Sequence, residues 1–295
     1  MVADRFSIPA VSGPARRPGT LTRDDVRWLN WHEACTHALV SREVRDLGDA
    51  YLLHDETDRE PFWNRLAGVA WPRDAAAFDR RLAEILVLFA GLDRIPHVWP
   101  QPAFDEPPDL VQRLEAFGFE DHGGGMLMAL DPERADLRTE PAASDFGGPV
   151  TVERYHRLSG GAAMAAARDL AAVLLASFNV EPERRIGVEL EAVQGLTSEA
   201  YHAILIRVGD RPAAVARRTT FAGASYLSSI GTDPQFRGLG LGRLVTSLVV
   251  ADALAAGSVW VHLGVFEENT VARRLYESLG FEPIGGIAPD LLLRP

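Results

Sequence analysis

Seven residues, Arg237-Gly238-Leu239-Gly240-Leu241-Gly242-Arg243, stand between a strand-like run at 225–232 and an apolar helix-like run at 244–256. A helix that opens on glycine offers bare backbone N–H groups and the positive end of its dipole, which is the chemistry of anion and above all phosphate binding. Arg237 and Arg243 add full charges. A dinucleotide fingerprint would need glycine at 243, where arginine stands. A plain strand-to-helix turn is the competing reading. Downstream comes Asn269-Thr-Val-Ala272-Arg273-Arg274-Leu-Tyr276-Glu-Ser-Leu-Gly280-Phe281. Read as a helix, it places a phenolic proton donor, Tyr276, in the same small domain as the loop. A tyrosine that packs its helix on a sheet would look the same.

The two motifs together resemble the GCN5-related N-acetyltransferases, in which R-x-x-G-x-G holds the pyrophosphate of acetyl-CoA and a later N-x-x-A-x-x-x-Y-x-x-x-G-F helix carries a tyrosine that protonates the departing thiolate. The resemblance covers roughly the last half of the chain. It implies direct transfer of an acetyl group from acetyl-CoA to an amine in a ternary complex, without a covalent enzyme intermediate. It implies that Ile230, Gly231 and Thr232 meet the cofactor on a strand that parts from the next one, with an N–H near Ile230 facing the thioester carbonyl. Removing such an oxyanion donor costs about 2.7–4 kcal/mol of barrier. Asn269 would cap its helix and meet the pantetheine amides, and Arg273 would reach a phosphate or face solvent. For the general base, Glu267 ranks ahead of Glu268 and His262, and a water chain would also serve; a histidine such as His262 within a strand is more often a satisfied core residue than a base. The alternative function is a non-catalytic acyl-CoA-binding sensor or scaffold, which needs the loop but neither Tyr276 nor a base.

These motifs need a sheet and helices to hold them. Helices are expected at 22–47, 75–90, 108–117, 161–177, 189–196 and 244–256. Strands are expected at 50–54, 62–71, 96–99, 125–130, 150–154, 201–208, 212–219, 225–232 and 258–265, with an apolar strand at 291–293 closing the last domain. Residues 131–149 are rich in Pro, Ala, Asp and Glu. The division is therefore 1–140, a linker at 141–148, and 149–295. A shift of 162 residues lays Gly118-Phe119-Glu120 over Gly280-Phe281-Glu282 and Pro72 over Pro234. The chemistry does not repeat. Ala75-Ala-Ala-Phe78 lies over Arg237-Gly-Leu-Gly240, Pro107 over Asn269, and Leu114 over Tyr276. The expected fold is α/β (α+β), two tandem acetyltransferase-like domains, each a mixed, mostly antiparallel sheet flanked by helices. Only the second keeps the cofactor motif.

Composition removes other classes. All 30 basic residues are arginines. Without lysine there is no Walker loop and no Schiff base. A net charge of −11 argues against a general nucleic-acid binder. The single cysteine, Cys35, excludes an internal disulfide. No metal is expected: His32 and His37 are five apart, one too many for the H-E-x-x-H helix geometry. No stretch reads as a signal peptide or a membrane span, so the expectation is a cytoplasmic monomer or homodimer acting on a small-molecule amine, without nucleic acid or membrane.

Overall fold

A computed structural model describes residues 8–40, 42–141 and 146–294; positions 142–145 of the expected linker lie outside them. The chain folds as two compact units, both discontinuous in sequence. The first comprises Pro18–Ala129, Gly264–Arg274 and Glu282–Pro295; the second comprises Met1–Arg17, Leu130–Leu263 and Leu275–Phe281.

The first unit begins with α1 (Arg23–Ala38), started by a capping box in which Thr22 and Asp25 satisfy each other's backbone N–H. The helix stops well short of 47. Residues 43–46 instead form β1 (Glu43–Asp46), paired in antiparallel register with β2 (Tyr51–His54). Gly48, expected to end a helix, takes φ +84° in the turn of this hairpin. There follow β3 (Arg65–Ala67), α2 (Ala75–Gly91), β4 (His97–Val98), α3 (Leu110–Phe117), β5 (Glu120–Asp121) and β6 (Gly125–Leu130). On α2, Phe78, Leu82, Ile85 and Phe89 recur at helical spacing, and all four are buried with Leu52, Leu66, Trp71, Val98 and Leu114.

The second unit starts with the edge strand β7 (Val150–His156), then α4 (Gly160–Phe178), α5 (Arg185–Thr197), β8 (Tyr201–Val208), β9 (Arg211–Phe221), β10 (Ala224–Thr232) and α6 (Leu241–Ala255). Next along the chain come β11 (Trp260–Phe266) and α7 (Thr270–Ser278), each divided between the two units, then β12 (Phe281–Ala288) and β13 (Leu291–Leu292), which from Glu282 onward belong to the first. The order within this unit is β11-β10-β9-β8-β7, parallel for β10 with β11 and antiparallel elsewhere. On one face, Ala166, Ala167, Leu170, Val173 and Leu174 of α4 and Ala192 and Leu196 of α5 pack on Tyr201, Ala203, Leu205 and Val215. That packing explains α4. Contrary to expectation its 19 residues, with mean hydropathy 1.4, reach the length and apolarity of a membrane span. Its buried face is that of a core helix.

In the first unit the order is β1-β2-β3-β4-β13-β5, with β3 and β4 parallel. β13, expected to close the last domain, sits here between β4 and β5. His97 and Asp290 hold it by a side-chain hydrogen bond, while the other ring nitrogen of His97 lies 2.8 Å from the Pro61 carbonyl. Both units thus share a plan in which a helix, α2 or α6, connects two parallel strands. The 162-residue repeat acquires a physical meaning. Residues 75–78, laid over Arg237–Gly240, are the first turn of α2, so the first unit has helix where the second has a loop.

Candidate acyl-transfer site

β10 and β11 pair in parallel from Ala224 with Trp260 to Leu227 with Leu263 and no further. β10 nevertheless runs on to Thr232. Its register on β9 shifts at the same point: Ser228 opposes Arg217 and Gly231 opposes Val215, so Ser229 and Ile230 together face Ala216 alone. This is a β-bulge. Ser229 takes φ +50°, a conformation that a residue with a side chain adopts only when its surroundings enforce it. Gly231 is needed for closeness, since a Cβ there would lie 2.8 Å from Ser177 Oγ at the end of α4.

The loop that follows is anchored at Phe236, which is buried beneath the Arg211 guanidinium. Gly238 and Gly240 have φ of +78° and +81°. Added Cβ atoms at either would meet nothing within 4 Å, so backbone conformation and not crowding selects glycine. Gly240 is the N-cap of the 15-residue α6 and no side chain caps it. The first-turn N–H groups and the positive end of the dipole are therefore left without a side-chain cap, an arrangement suited to an anion. Gly242 lies in that first turn, where a Cβ would come within 3.3 Å of Thr232 Oγ1 and 3.8 Å of Leu275 Cδ2. Leu239 is half-buried between the two left-handed glycines.

The two arginines differ. Arg237 donates through Nη2 to the Ser177 carbonyl at 2.9 Å, one of the orphan acceptors at the C-terminus of α4. Its Nε also donates to the Thr232 carbonyl at 3.4 Å, and the side chain is exposed at the loop. Arg243 turns to structural partners: Nη1 donates to Ser278 Oγ at 2.6 Å and Nη2 to Asp136 Oδ2 at 2.6 Å. Leu275 and Ser278 thus both approach the start of α6, and Tyr276 lies between them in sequence. Tyr276 is buried beside Phe281, with ring centroids 6.0 Å apart, and burial pushes its hydroxyl up to about 12. It is a neutral phenol at any physiological pH.

Of the remaining expected residues, Glu267, Asn269 and Arg273 fall in the first unit and His262 in the second. Glu267 follows β11 with an exposed side chain, and its N–H donates to the Gly124 carbonyl at 2.9 Å. Asn269 accepts from the Ala272 N–H at 3.2 Å, the helix-capping part expected of it. Arg273 is on the first half of α7, where its own N–H donates to the Asn269 carbonyl. His262 is fully buried against the Tyr226 ring, a core position. Of the two histidines on α1, His37 is engaged with a carboxylate of its own helix. Glu33 accepts from His37 Nε2 and Arg65 Nη2, at 2.7 and 2.6 Å, and its carboxyl is held at about 2 despite the opposing effect of burial.

Three residues at the bulge, Arg217, Tyr201 and Ser229, were not singled out from sequence. Arg217, on β9, donates to the Tyr201 hydroxyl at 2.9 Å and to Ser229 Oγ, and pairs with Glu191 of α5 at 3.6 Å. An arginine pair, Arg217-Arg218, directly after the apolar run 213–216 was the one available signal.

Residues 205–286 match the FR47-like protein family. A 52-residue stretch is 50% identical to a mycothiol acetyltransferase of Nocardiopsis dassonvillei, but it is 18% of this chain and spans only 16% of that relative's length. Among solved structures, a GCN5-related N-acetyltransferase from Kribbella flavida superposes with TM-score 0.63 at 23% identity, covering 90% of this chain and 95% of the other. A tandem GNAT protein from the clavulanic acid biosynthesis pathway gives TM-score 0.59 at 16% identity, covering 100% and 95%. At these identities the structural likeness speaks for the fold, two tandem α/β units of this type.

Proposed function

We propose that this chain, an acetyltransferase of the GCN5-related N-acetyltransferase family, moves an acetyl group from acetyl-CoA to an amine by direct attack in a ternary complex. The observation that carries the reading is the sequence of three features along one strand. Pairing between β10 and β11 ends at Leu227 and Leu263, a bulge follows at Ser229–Ile230, and β10 then leads to a helix whose N-terminus no side chain caps.

The residues fit acetyl-CoA on that ground. The uncapped N–H groups of the first turn of α6, with Gly238 and Gly240 in left-handed conformation, suit a pyrophosphate, and Arg237 stands at the mouth of the loop. The thioester supplies the activated acetyl group. The backbone around Ile230 is assigned to the oxyanion, since preorganised N–H donors act where charge develops. Tyr276 is assigned as proton donor to the thiolate; burial holds its hydroxyl protonated up to about 12, so the proton is present to be donated, although the same burial makes the phenol a weak acid. Because a thiolate is already a stable leaving group, that assistance is worth about 10²-fold or less. Glu267 remains the base assigned to the acceptor ammonium.

A screen of amines that follows release of free CoA tests the proposal. Small amines, aminoglycosides, peptides and thiol-linked sugar amines belong in it; the local likeness to a protein named a mycothiol acetyltransferase is a reason to include the last. Turnover with one acceptor establishes the reaction. Acetyl-CoA binding without turnover on any amine would overturn it in favour of a sensor.

A further inference from the structure

We infer that Arg217 is a positioning residue that holds the Ser229–Ile230 bulge in the shape acyl transfer requires, and that it ties this bulge to the α5 wall through Glu191. The inference rests on the proposed acetyl transfer at β10 for its catalytic part, and on geometry alone for the rest.

A serine at φ +50° is held there by its surroundings, because its side chain disfavours that conformation where glycine would not resist it. The surroundings include one strong polar contact. Arg217 donates to the Ser229 hydroxyl from the neighbouring strand, one residue out of register with its own backbone partner, Ser228. The guanidinium is itself fixed. Nη1 donates to Tyr201, which is buried and packs its ring against Gly195 of α5, and Nη2 lies 3.6 Å from the Glu191 carboxylate. Nε is buried and has no hydrogen-bond partner among the described residues. A charge this deep, at the margin of an apolar cluster of α4, α5, β8 and β9, is a costly way to hold a strand together. A hydrophobic residue would serve packing better. What an arginine does here, and an apolar side chain cannot, is reach three elements at once with directed donors. The bulge, α5 and β8 are thereby linked, so a molecule that engages Glu191 on α5 acts on the same cation that restrains Ser229. Small misplacements of a donor in such a site reduce turnover steeply.

The test uses the full chain in the Arg217→Met variant and in Arg217→Met combined with Ser229→Gly. Glycine takes the left-handed conformation without assistance, so the second change removes the need for the arginine. We expect Arg217→Met to lower kcat about 10-fold or more, with KM for acetyl-CoA within about two-fold, because the loop at 237–242 is untouched. The double variant should regain most of the lost kcat. Equal kcat in wild type and Arg217→Met, or an equally slow double variant, would overturn the inference. If Arg217→Met does not fold, Arg217→Lys takes its place in the same comparison. Amide hydrogen exchange of residues 228–232 is measured in parallel and does not depend on any acceptor. Faster exchange in the single variant and its reversal in the double variant support the restraint, and unchanged exchange overturns it. A wild type that turns over no amine sinks the acetyl-transfer reading alone, and the exchange result then decides this one.

Discussion

Gly231 and Ser177 approach so closely that any side chain between them would collide: a Cβ on Gly231 would stand 2.8 Å from Ser177 Oγ and 2.9 Å from Ser177 Cβ. The second of these atoms cannot swing away, because it is fixed to the backbone of α4. Replacing Gly231 with alanine should therefore move the end of α4 from β10 or bend the strand. The expected loss of stability is about 1–3 kcal/mol, as for overpacked cores. The carbonyl that receives Arg237 belongs to the same Ser177, so acetyl-CoA affinity should weaken as well. Thermal unfolding and calorimetry read the two effects. Adding Ser177→Gly should restore part of both, and a Gly231→Ala protein as stable as wild type would refute the packing argument.

Tyr276 provides a prediction in pH. Burial raises its folded-state value from 10 to about 12, while the unfolded chain keeps the lower one. Its contribution is therefore complete below pH 10 and is lost as pH rises through about 12, up to about 2–3 kcal/mol for a two-unit shift. Denaturant unfolding should show Tyr276→Phe losing less stability than wild type across that window. In turnover, the same substitution should lower kcat by about 10²-fold or less, with no tyrosine limb in the wild-type profile below pH 10. Undiminished kcat in the variant would remove Tyr276 from the acid role.

Much of this arrangement is legible in sequence because glycine at left-handed positions and apolar residues at helical spacing are local signals. Gly238 and Gly240 announced the loop, and Phe78, Leu82, Ile85 and Phe89 announced α2. What was missed is non-local or depends on neighbours. Leu291–Leu292 is apolar whichever sheet receives it, and its place between β4 and β5 follows from pairing partners far away in the chain. The four residues of β1 carry no alternation strong enough to oppose the helical run before them, and they form a strand because β2 pairs with them. The bulge was invisible for a different reason. Serine does not advertise a positive φ, and the contact that enforces it comes from Arg217, twelve residues earlier.

His156 and His202, opposite each other on β7 and β8, stack with ring centroids 4.0 Å apart and planes 1° from parallel. Burial pulls His202 down to about 4, and Arg218 and His156 add repulsion; Asp252 opposes them more weakly. A depressed value means the folded state binds the proton less readily than the unfolded chain. The contribution of His202 is thus present above about pH 6.5 and is lost as pH falls through about 4. Replacing His202 with glutamine should flatten the stability profile over that interval relative to wild type, in urea unfolding at fixed ionic strength. Parallel profiles for the two proteins would show that the stacked pair is not the cause.

The two helix N-termini supply the sharpest contrast between the units. On α2, Asp74 is the N-cap and its carboxylate accepts from the Ala77 N–H at 2.9 Å, so a negative charge already sits where an anion would bind. On α6 the same position is Gly240, which has nothing to offer the N–H groups. Titration calorimetry should therefore find one acetyl-CoA per chain. Asp74→Ala should cost about 1 kcal/mol of stability through the lost cap and create no second site, because residues 75–78 remain helix where a phosphate loop would be needed. Gly240→Asp, which brings a carboxylate to the start of α6 and forces a side chain onto φ +81°, should weaken acetyl-CoA binding about 10-fold or more, and Gly240→Asn, with the same strain and no charge, should weaken it less. A second site in either protein, or undiminished binding by Gly240→Asp, would show that the open helix terminus does not hold the cofactor.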